Sequence, residues 1–252
     1  MIATMNTELE NLSKLTNFSP LYRQIKLHIL DALKDGQWKP GDLIPSEVDL
    51  AARYQVSQGT VRKAIDELSA ENFLVRRQGK GTFVSTHLEK KTQYRFLRLA
   101  ADDGEPLQSS SKILSCTRET ATADIALALH LSSHSEVIRI RRLLSFALQA
   151  VVLEDICLPA DIFGGLSVEL LATWRGPMYA LFERQFDTHM VRASEKLKAN
   201  AADVTTATSL GIKVGDPVLF IERISYTYGD KPVELRRAFY HTEKHHYLNE
   251  LS

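Results

Sequence analysis

The segment from Val56 to Val84 concentrates residue types that can hold a phosphate backbone. Between Arg53 and Lys80, six lysines and arginines stand against three acids, a local excess of +3 on a chain of 252 residues whose net charge is +0. Cations that neutralise phosphates release counterions, and this release supplies most of the sequence-independent affinity for nucleic acid. Glycine lets a backbone approach a phosphate or the minor groove closely, and Gly79 and Gly81 flank the last lysine. The pattern predicts a nucleic-acid-binding surface.

A helix must carry the side chains that could read bases. Apolar residues at i, i+3, i+4 and i+7 predict one buried helical stripe, formed by Val61, Ala64, Ile65 and Leu68. Ser57 is placed to cap this helix, and its exposed N-terminal end carries Gln58, Gly59, Thr60 and Arg62. In a DNA-binding helix this end faces the base edges of the major groove. Glutamine can pair there with adenine and arginine with guanine.

Two further helices are predicted to support this one. The first is expected to begin at Ser19–Pro20 and to end at Gly36. Ser46 caps the second, with Asp49 three residues later as its capping-box partner. Only Gln55–Val56 separates the second helix from the cap of the third, which is the spacing of a helix-turn-helix.

A short hairpin follows the third helix. Phe73–Val75 and Thr82–Val84 are predicted strands, and Gln78–Gly81 has the composition of a turn between them. A hairpin in this position makes the helix-turn-helix winged. Two other interpretations are a packing unit whose charges are merely solvated, and a nucleotide-binding loop. The loop is disfavoured because the P-loop pattern needs a further upstream glycine that the stretch after Leu74 lacks.

The second half of the chain has a different pattern of apolar and polar residues. After the polar stretch STHLEKKTQ, strand-like runs alternate with short helical patterns, which predicts an α+β domain on an antiparallel sheet. Hydrophobic residues make up 44% of the chain, yet no run approaches the ~20 residues that span a bilayer. The N-terminus lacks the apolar core of a signal peptide, and the two cysteines have no disulfide or zinc-finger spacing. We therefore expect a cytoplasmic protein without membrane contact.

These motifs resemble the GntR superfamily of bacterial transcription regulators. The likeness is carried by PLYRQI, PGDLIPSE, VSQGTVRKAIDEL and QGKGTFV. The strand-rich second half, with VVLEDICLP, MYALFE and YGDKPVELRRAFYH, resembles the HutC branch, whose UTRA domain binds effectors and has a chorismate-lyase-like fold. The resemblance implies a flexible tail (1–16), a winged helix-turn-helix domain (17–86), a linker (87–93) and a UTRA-like domain for effector binding and dimerisation (94–252).

The resemblance implies that Thr60 and Arg62 lie in a DNA-contacting recognition helix, Gly79 and Lys80 in the wing, and Arg53 at a basic position near the backbone. The full set of residues expected to contact DNA is Arg23, Arg53, Ser57, Gln58, Gly59, Thr60, Arg62, Lys63, Gln78, Gly79 and Lys80. Two positions depart from the pattern. Gln58 stands where many relatives have arginine, and Val48 where they commonly have arginine or asparagine. The operator is therefore expected to differ from the commonest family site.

In the effector domain the resemblance implies a ligand pocket. Five residues match positions that line it in relatives that bind sugar phosphates, namely Arg142, Glu154, Tyr179, Glu234 and Tyr240. Leu144 replaces a second arginine and Pro177 a phosphate-holding serine, so a phosphate would lack several charge-assisted donors. Arg98 could add a cationic contact from the domain entrance. We expect a small anionic or zwitterionic metabolite.

The expected function is that of a homodimeric repressor on a palindromic DNA operator, released by its effector, with no catalytic activity, cofactor or metal. Three alternatives stay open. The lyase-like fold could be an enzyme, although no Ser-His-Asp set or carboxylate pair stands out. His241 and His245 could bind a metal, although their spacing has little meaning on a strand. A dimerising scaffold would leave the basic wing unexplained.

Overall fold

The computed structural model describes residues 19–89, 98–104 and 109–249. The predicted tail (1–16) and residues 90–93 of the predicted linker lie outside them. The chain forms two compact units, Met1–Thr86 and His87–Ser252. No helix among the described residues is long and apolar enough to cross a membrane.

The first unit contains three helices and a hairpin. Their bounds are α1 Leu21–Lys34, α2 Glu47–Tyr54, α3 Gln58–Ala70, β1 Leu74–Arg77 and β2 Gly81–Val84. Helix α1 is capped by Pro20 instead of Ser19, because the ψ of Pro20 is 141° and its carbonyl already accepts from the amides of Arg23 and Gln24. After the helix, Gly36 adopts a φ of +69°, in agreement with the predicted stop.

The turn between α2 and α3 confirms the helix-turn-helix. Ser46 and Asp49 form the predicted capping box, and the Ser57 hydroxyl accepts from the amide of Thr60. Gln55 ends α2 in the left-handed conformation, with φ 54° and ψ 43°. This single residue reverses the chain, so that α3 begins three residues later.

The buried stripe of α3 holds the three helices together. All four predicted residues are buried, and they share the interior with Ile25, Ile29, Ala32, Leu33 and Leu50. Lys26 of α1 adds ion pairs to Glu67 at 3.1 Å and Glu71 at 2.5 Å. The stripe therefore fixes which face of α3 points away from the protein.

The hairpin is held at its base by the segment that joins α1 and α2. Strand β1 pairs antiparallel with β2 from Leu74↔Val84 to Arg77↔Gly81, and Leu43 forms a bridge with Phe83. Gly81 has a φ of +105°, and a Cβ there would come within 2.7 Å of Leu43 Cδ1. Glycine is thus favoured at Gly81 by the positive φ of the backbone, whereas the exposed Leu43 side chain could move away from a Cβ.

The second unit is built on antiparallel strands. They are β3 Leu99–Ala101, β4 Ser109–Thr120, β5 Glu136–Phe146, β6 Gln149–Pro159, β7 Arg192–Ala201, β8 Pro217–Thr227, β9 Lys231–Tyr240 and β10 His245–Tyr247. Six of them form one sheet in the order β4-β5-β6-β9-β8-β7, and β3 pairs with β10. The helices are α4 Ala123–Ala128, α5 Ala160–Phe163, α6 Val168–Thr173, α7 Met178–Phe186 and α8 Val204–Leu210.

Both faces of the six-stranded sheet are covered. On one face Ile140 and Ile156 pack against Phe163 and Phe182, which belong to α5 and α7. Farther along this face, a second apolar cluster gathers Leu99 of β3 with strand residues that include Leu144, Val152, Ile221, Ala238 and Tyr240. The opposite face packs against α4 and α8. Between the two apolar clusters of the first face lie polar side chains, and these form the candidate effector site.

Candidate functional site

The N-terminal end of α3 presents the predicted base-reading side chains. Gln58, Gly59 and Arg62 are exposed and Thr60 is half-buried. The Ser57 hydroxyl lies 2.9 Å from that of Thr60 as well as capping the helix, so Ser57 positions its neighbour and the start of α3. A Cβ on Gly59 would meet only Ser57 Oγ, at 3.8 Å, so the space beside Gly59 is open.

Glu47 organises this end of the helix. One carboxylate oxygen accepts from Arg62 Nε at 2.9 Å and from Gln58 Nε2 at 3.3 Å, and the other accepts from Arg76 at 2.9 Å. Arg76 also contacts Asp66 at 2.8 Å. No sequence pattern indicated a role for Glu47, because that role depends on how α2 packs against α3. Its carboxylate holds the guanidinium of Arg62 in one direction before any ligand arrives.

The other predicted cations lie on aromatic rings or at the wing. Lys63 Nζ is 4.0 Å from the ring centroid of Tyr22, whose hydroxyl accepts from Arg23 Nε at 3.1 Å. Arg53 lies over its neighbour Tyr54, at 5.6 Å. Such contacts orient a long cation at little cost.

The wing ends in an exposed turn made of Gln78, Gly79 and Lys80. The Lys80 amide donates to the Arg77 carbonyl at 2.9 Å, and Gly79 has a φ of +70°. The predicted turn is therefore present, with a glycine where a positive φ is required. Val48, the other departure from the family pattern, is 60% exposed on α2.

In the second unit the prediction that Arg142 and Glu154 face each other is confirmed. They are directly paired on β5 and β6, and Arg142 Nε contacts Glu154 Oε2. Arg236 of β9 approaches from the other side, with one Nη 3.0 Å from Glu154 Oε1 and the other 2.8 Å from Glu234 Oε2. Glu154 is 1% exposed, so its charge is neutralised inside the protein.

Helix α7 and strands β7 and β8 complete the cluster. The Tyr179 hydroxyl donates to Glu234 Oε1 at 2.6 Å and lies 3.0 Å from Ser225 Oγ. Arg223, which pairs across strands with Arg236, donates to Glu195 Oε1 at 2.6 Å. We call this set the polar cluster: Arg142, Glu154, Tyr179, Glu195, Arg223, Ser225, Glu234 and Arg236.

The ionisation states in the polar cluster are determined by the ion pairs between its arginines and glutamates. Burial alone would raise the pKa of Glu154, but Arg142 and Arg236 bring it down to about 2. The pKa of Glu234 is lowered in the same way by Arg236, against the effect of burial. Burial and the neighbouring Glu234 raise the pKa of Tyr179. The phenol therefore stays a donor, and three arginines face three glutamates.

Sequence reasoning missed half of the polar cluster. Arg223 with Ser225, and Glu234 with Arg236, stand two residues apart on adjacent strands and so share one face. The alternation of side chains along each strand was therefore the sequence signal that could have identified them. Tyr240 is buried in the neighbouring apolar cluster, and the nearby charge of Glu154 adds to the effect of burial in raising its pKa.

Arg98 does not join the polar cluster. Its side chain is exposed and contacts Asn249, and its carbonyl accepts from the amide of Leu248 at 2.8 Å. Leu144 is buried among apolar residues, and the Pro177 carbonyl accepts from Trp174 Nε1 at 2.9 Å. The two positions that depart from the family pocket, Leu144 and Pro177, therefore offer no polar side chain to a ligand.

The histidines considered as metal ligands do not belong to a group of three or more metal-ligating side chains among the described residues. His245 lies on β10 with its ring against Phe146, whereas His241 follows β9 and contacts Glu243 at 3.8 Å. Among the described residues, a cluster with metal-ligating groups forms instead from His87, Glu183 and His189. A surface groove lined partly by Arg118, Ser132 and Lys231 shares no residue with the polar cluster.

A winged helix-turn-helix with cations at its exposed edge, followed by a sheet domain that buries a polar cluster, defines a ligand-responsive DNA-binding protein. The chain belongs to the GntR family of bacterial regulatory proteins: the model of that family matches residues 21–84, and the UTRA domain model matches 94–246. It is a transcriptional regulator with an effector-binding domain, not an enzyme. The predicted HutC branch is confirmed by the UTRA match.

Relatives extend over most of the chain. The HTH-type transcriptional regulator YurK of Bacillus subtilis is 30% identical over 90% of this chain and 93% of its own length. The "Probable fructoselysine utilization operon transcriptional repressor" of Escherichia coli is 29% identical over 87% of this chain and 89% of its own. A crystal structure of the ligand-binding domain of a GntR-family regulator from Bordetella bronchiseptica is 49% identical, with a TM-score of 0.62, and covers 63% of this chain and 99% of that one.

Proposed function

We propose that the protein is a repressor that binds a palindromic operator as a homodimer in the bacterial cytoplasm and leaves it when a small zwitterionic or anionic metabolite occupies the polar cluster. Residues 17–86 bind DNA, and residues 94–252 bind the effector and supply the dimer contact. The observation that carries the proposal is the pairing of Arg142 and Arg236 with the buried Glu154, a set of strong charged donors and acceptors within an otherwise apolar layer.

The arrangement of α3 and the wing supports the DNA-binding part. Arg62, Gln58 and Gly59 stand exposed where a recognition helix meets base edges, and Lys80 stands at the tip of the wing. Glu47 already holds Arg62, which reduces the side-chain ordering that base recognition requires.

The charge balance of the polar cluster supports a zwitterion over a phosphate. A ligand carboxylate can take over an arginine while its ammonium or hydroxyl group takes over the released glutamate, so the buried layer stays neutral. A dianionic phosphate would leave uncompensated negative charge beside Glu154 and Glu234.

The experiment combines a ligand screen with an operator-release assay. Amino acids, amino-acid–sugar conjugates and sugar phosphates are screened by thermal shift, because a ligand that binds the folded state raises Tm. Those that do so are tested for displacing fluorescent DNA from the gene's upstream region. We expect Arg142→Ala to bind this DNA like the parent but to need at least about 10-fold more effector for release, because an arginine–carboxylate contact contributes roughly 1.5–3 kcal/mol.

Lys231→Ala is the matched control, since Lys231 is an exposed cation of the separate surface groove. It should release DNA at the parent's effector concentration. Release of the Arg142→Ala protein at that same concentration, with its Tm intact, would show that the effector does not use the polar cluster.

A further inference from the structure

A buried group of metal-ligating side chains lies apart from both sites. The ligand atoms of His87, Glu183 and His189 all lie within 4.8 Å of one another. Their side chains are 2%, 5% and 3% exposed. Glu183 belongs to α7, and His189 follows that helix after Asp187 turns the chain with a φ of +46°. His87 comes only three residues after Val84, the last residue of the wing.

The backbone fixes these side chains next to each other. The His87 amide donates to both oxygens of Glu183, at 3.0 and 3.2 Å. The same carboxylate contacts His189 Nδ1 and lies 3.9 Å from His87 Nε2. The two imidazole rings are 4.9 Å apart. The first residue after the DNA-binding unit is therefore part of the interior of the second unit, although the sequence pattern predicted a linker there.

Hydrogen bonds within the protein do not complete this group. His189 Nδ1 is used by Glu183, but His189 Nε2 is buried without a hydrogen-bond partner among the described residues. In an ion site shared with Glu183 the ligand atom of His189 is Nδ1, and Nε2 is the ring nitrogen that takes an outer partner such as water. Two imidazoles and one carboxylate are the three protein ligands of many zinc sites, whose fourth position is taken by water.

The spacing agrees with a single tetrahedral ion. Bonds of about 2.1 Å place the ligand atoms of Zn²⁺ about 3.4 Å apart, so the 3.9 Å between His87 Nε2 and Glu183 Oε1 needs only a small side-chain movement. The ion would replace the proton shared by His189 and Glu183, and His87 would turn its Nε2 from the Met190 carbonyl, 3.0 Å away, toward the ion. We propose that His87, Glu183 and His189 bind Zn²⁺ or a similar divalent transition-metal ion, which fastens the segment after the wing to α7.

The test measures metal binding by the full chain after chelator treatment. One Zn²⁺ per chain should bind, Co²⁺ should give the intense visible absorption of a tetrahedral site, and Tm should rise by about 5 °C or more at a hundredfold excess over Kd. His189→Gln should weaken Zn²⁺ binding at least about 10-fold, since losing a ligand costs no less than losing a residue that only orients one.

His246→Gln is the control, because His246 is exposed and pairs with Asp102 at 2.7 Å. The double variant His241→Gln/His245→Gln tests the alternative pair of ligands. Both should bind Zn²⁺ like the parent. A parent chain that gives no tetrahedral Co²⁺ spectrum overturns the proposal even if His189→Gln does not fold, and so does equal Zn²⁺ binding by parent and His189→Gln.

Discussion

Arg62 and Lys80 are held differently, and their removal should have different effects on DNA binding. Lys80 is a point charge at the wing tip, so Lys80→Ala should weaken binding to all duplexes alike and reduce the slope of log K against log salt by about one unit. Arg62 Nε donates to Glu47 at 2.9 Å, at the N-terminal end of α3 that is predicted to face the groove. Arg62→Ala should cost about 1–3 kcal/mol and relax the preference at one base pair.

Anisotropy titrations at several salt concentrations, with the operator and its single-base variants, separate the two effects. Lys34→Ala removes an exposed lysine of α1 that no prediction places at DNA, and it should change neither the slope nor the specificity. Indistinguishable salt slopes and base preferences for the Arg62 and Lys80 variants would mean that Arg62 contacts only phosphate.

The role of a single residue was predictable where the residues next to it in the sequence determine that role. The cap by Ser57, the turn at Gly79 and the facing pair Arg142 and Glu154 all follow from local spacing. Glu47 was not predictable, because its three partners lie on other elements, and its sequence neighbours suggest only a helix start. Arg236 was missed because many strand positions of this chain are basic, although its spacing of two residues from Glu234 places it on the same face.

At the scale of elements, the turn between β5 and β6 is strained. Its two central residues, Ala147 and Leu148, have φ values of 46° and 68°. Two-residue hairpins need such angles, but asparagine and glycine adopt them at far lower cost. Ala147→Asn combined with Leu148→Gly should therefore raise the free energy of unfolding of the second unit by about 1–2 kcal/mol, measured by denaturant unfolding monitored within that unit.

Leu148→Ala provides the control, because it removes a side chain that is 99% exposed while leaving a positive φ on a non-glycine residue. It should change stability by no more than about 0.5 kcal/mol. Equal stabilisation by both variants would assign the gain to the loss of the exposed leucine, not to the backbone.

The elements themselves were predictable to unequal degrees. The three helices, the wing and the long strands follow from periodicity and caps that act within each segment. Helices α5 and α6, of four and six residues, were missed because packing against the sheet decides them more than their own sequence does. The pairing of β3 with β10 joins residues near the two ends of the second unit, a contact that local patterns do not encode.

At the scale of the whole molecule, two recognition helices should act together. A single helix reads only a few base pairs, and twofold symmetry spaces two of them about 34 Å apart, one turn of DNA. Sedimentation of the protein with operator DNA should therefore show two chains per duplex. Inserting about five or about ten base pairs between the half-sites moves them away from this fixed separation, so both insertions should abolish tight binding by the dimer.

A monomer that binds a half-site as tightly as the full operator would contradict this prediction. So would an affinity that neither insertion lowers, because independent monomers do not sense the distance between half-sites.

The self-neutralised polar cluster has a consequence for when such a regulator responds. If the effector binds in the polar cluster, as proposed, it competes with Glu154 and Glu234, which already pair with the arginines and are always present beside them. If the cluster is open for exchange in one molecule in a hundred, the apparent Kd rises about a hundredfold. Traces of the compound then leave the genes silent, and only a sustained surplus turns them on. The internal ion pairs would therefore set the effector concentration at which the regulator releases its operator.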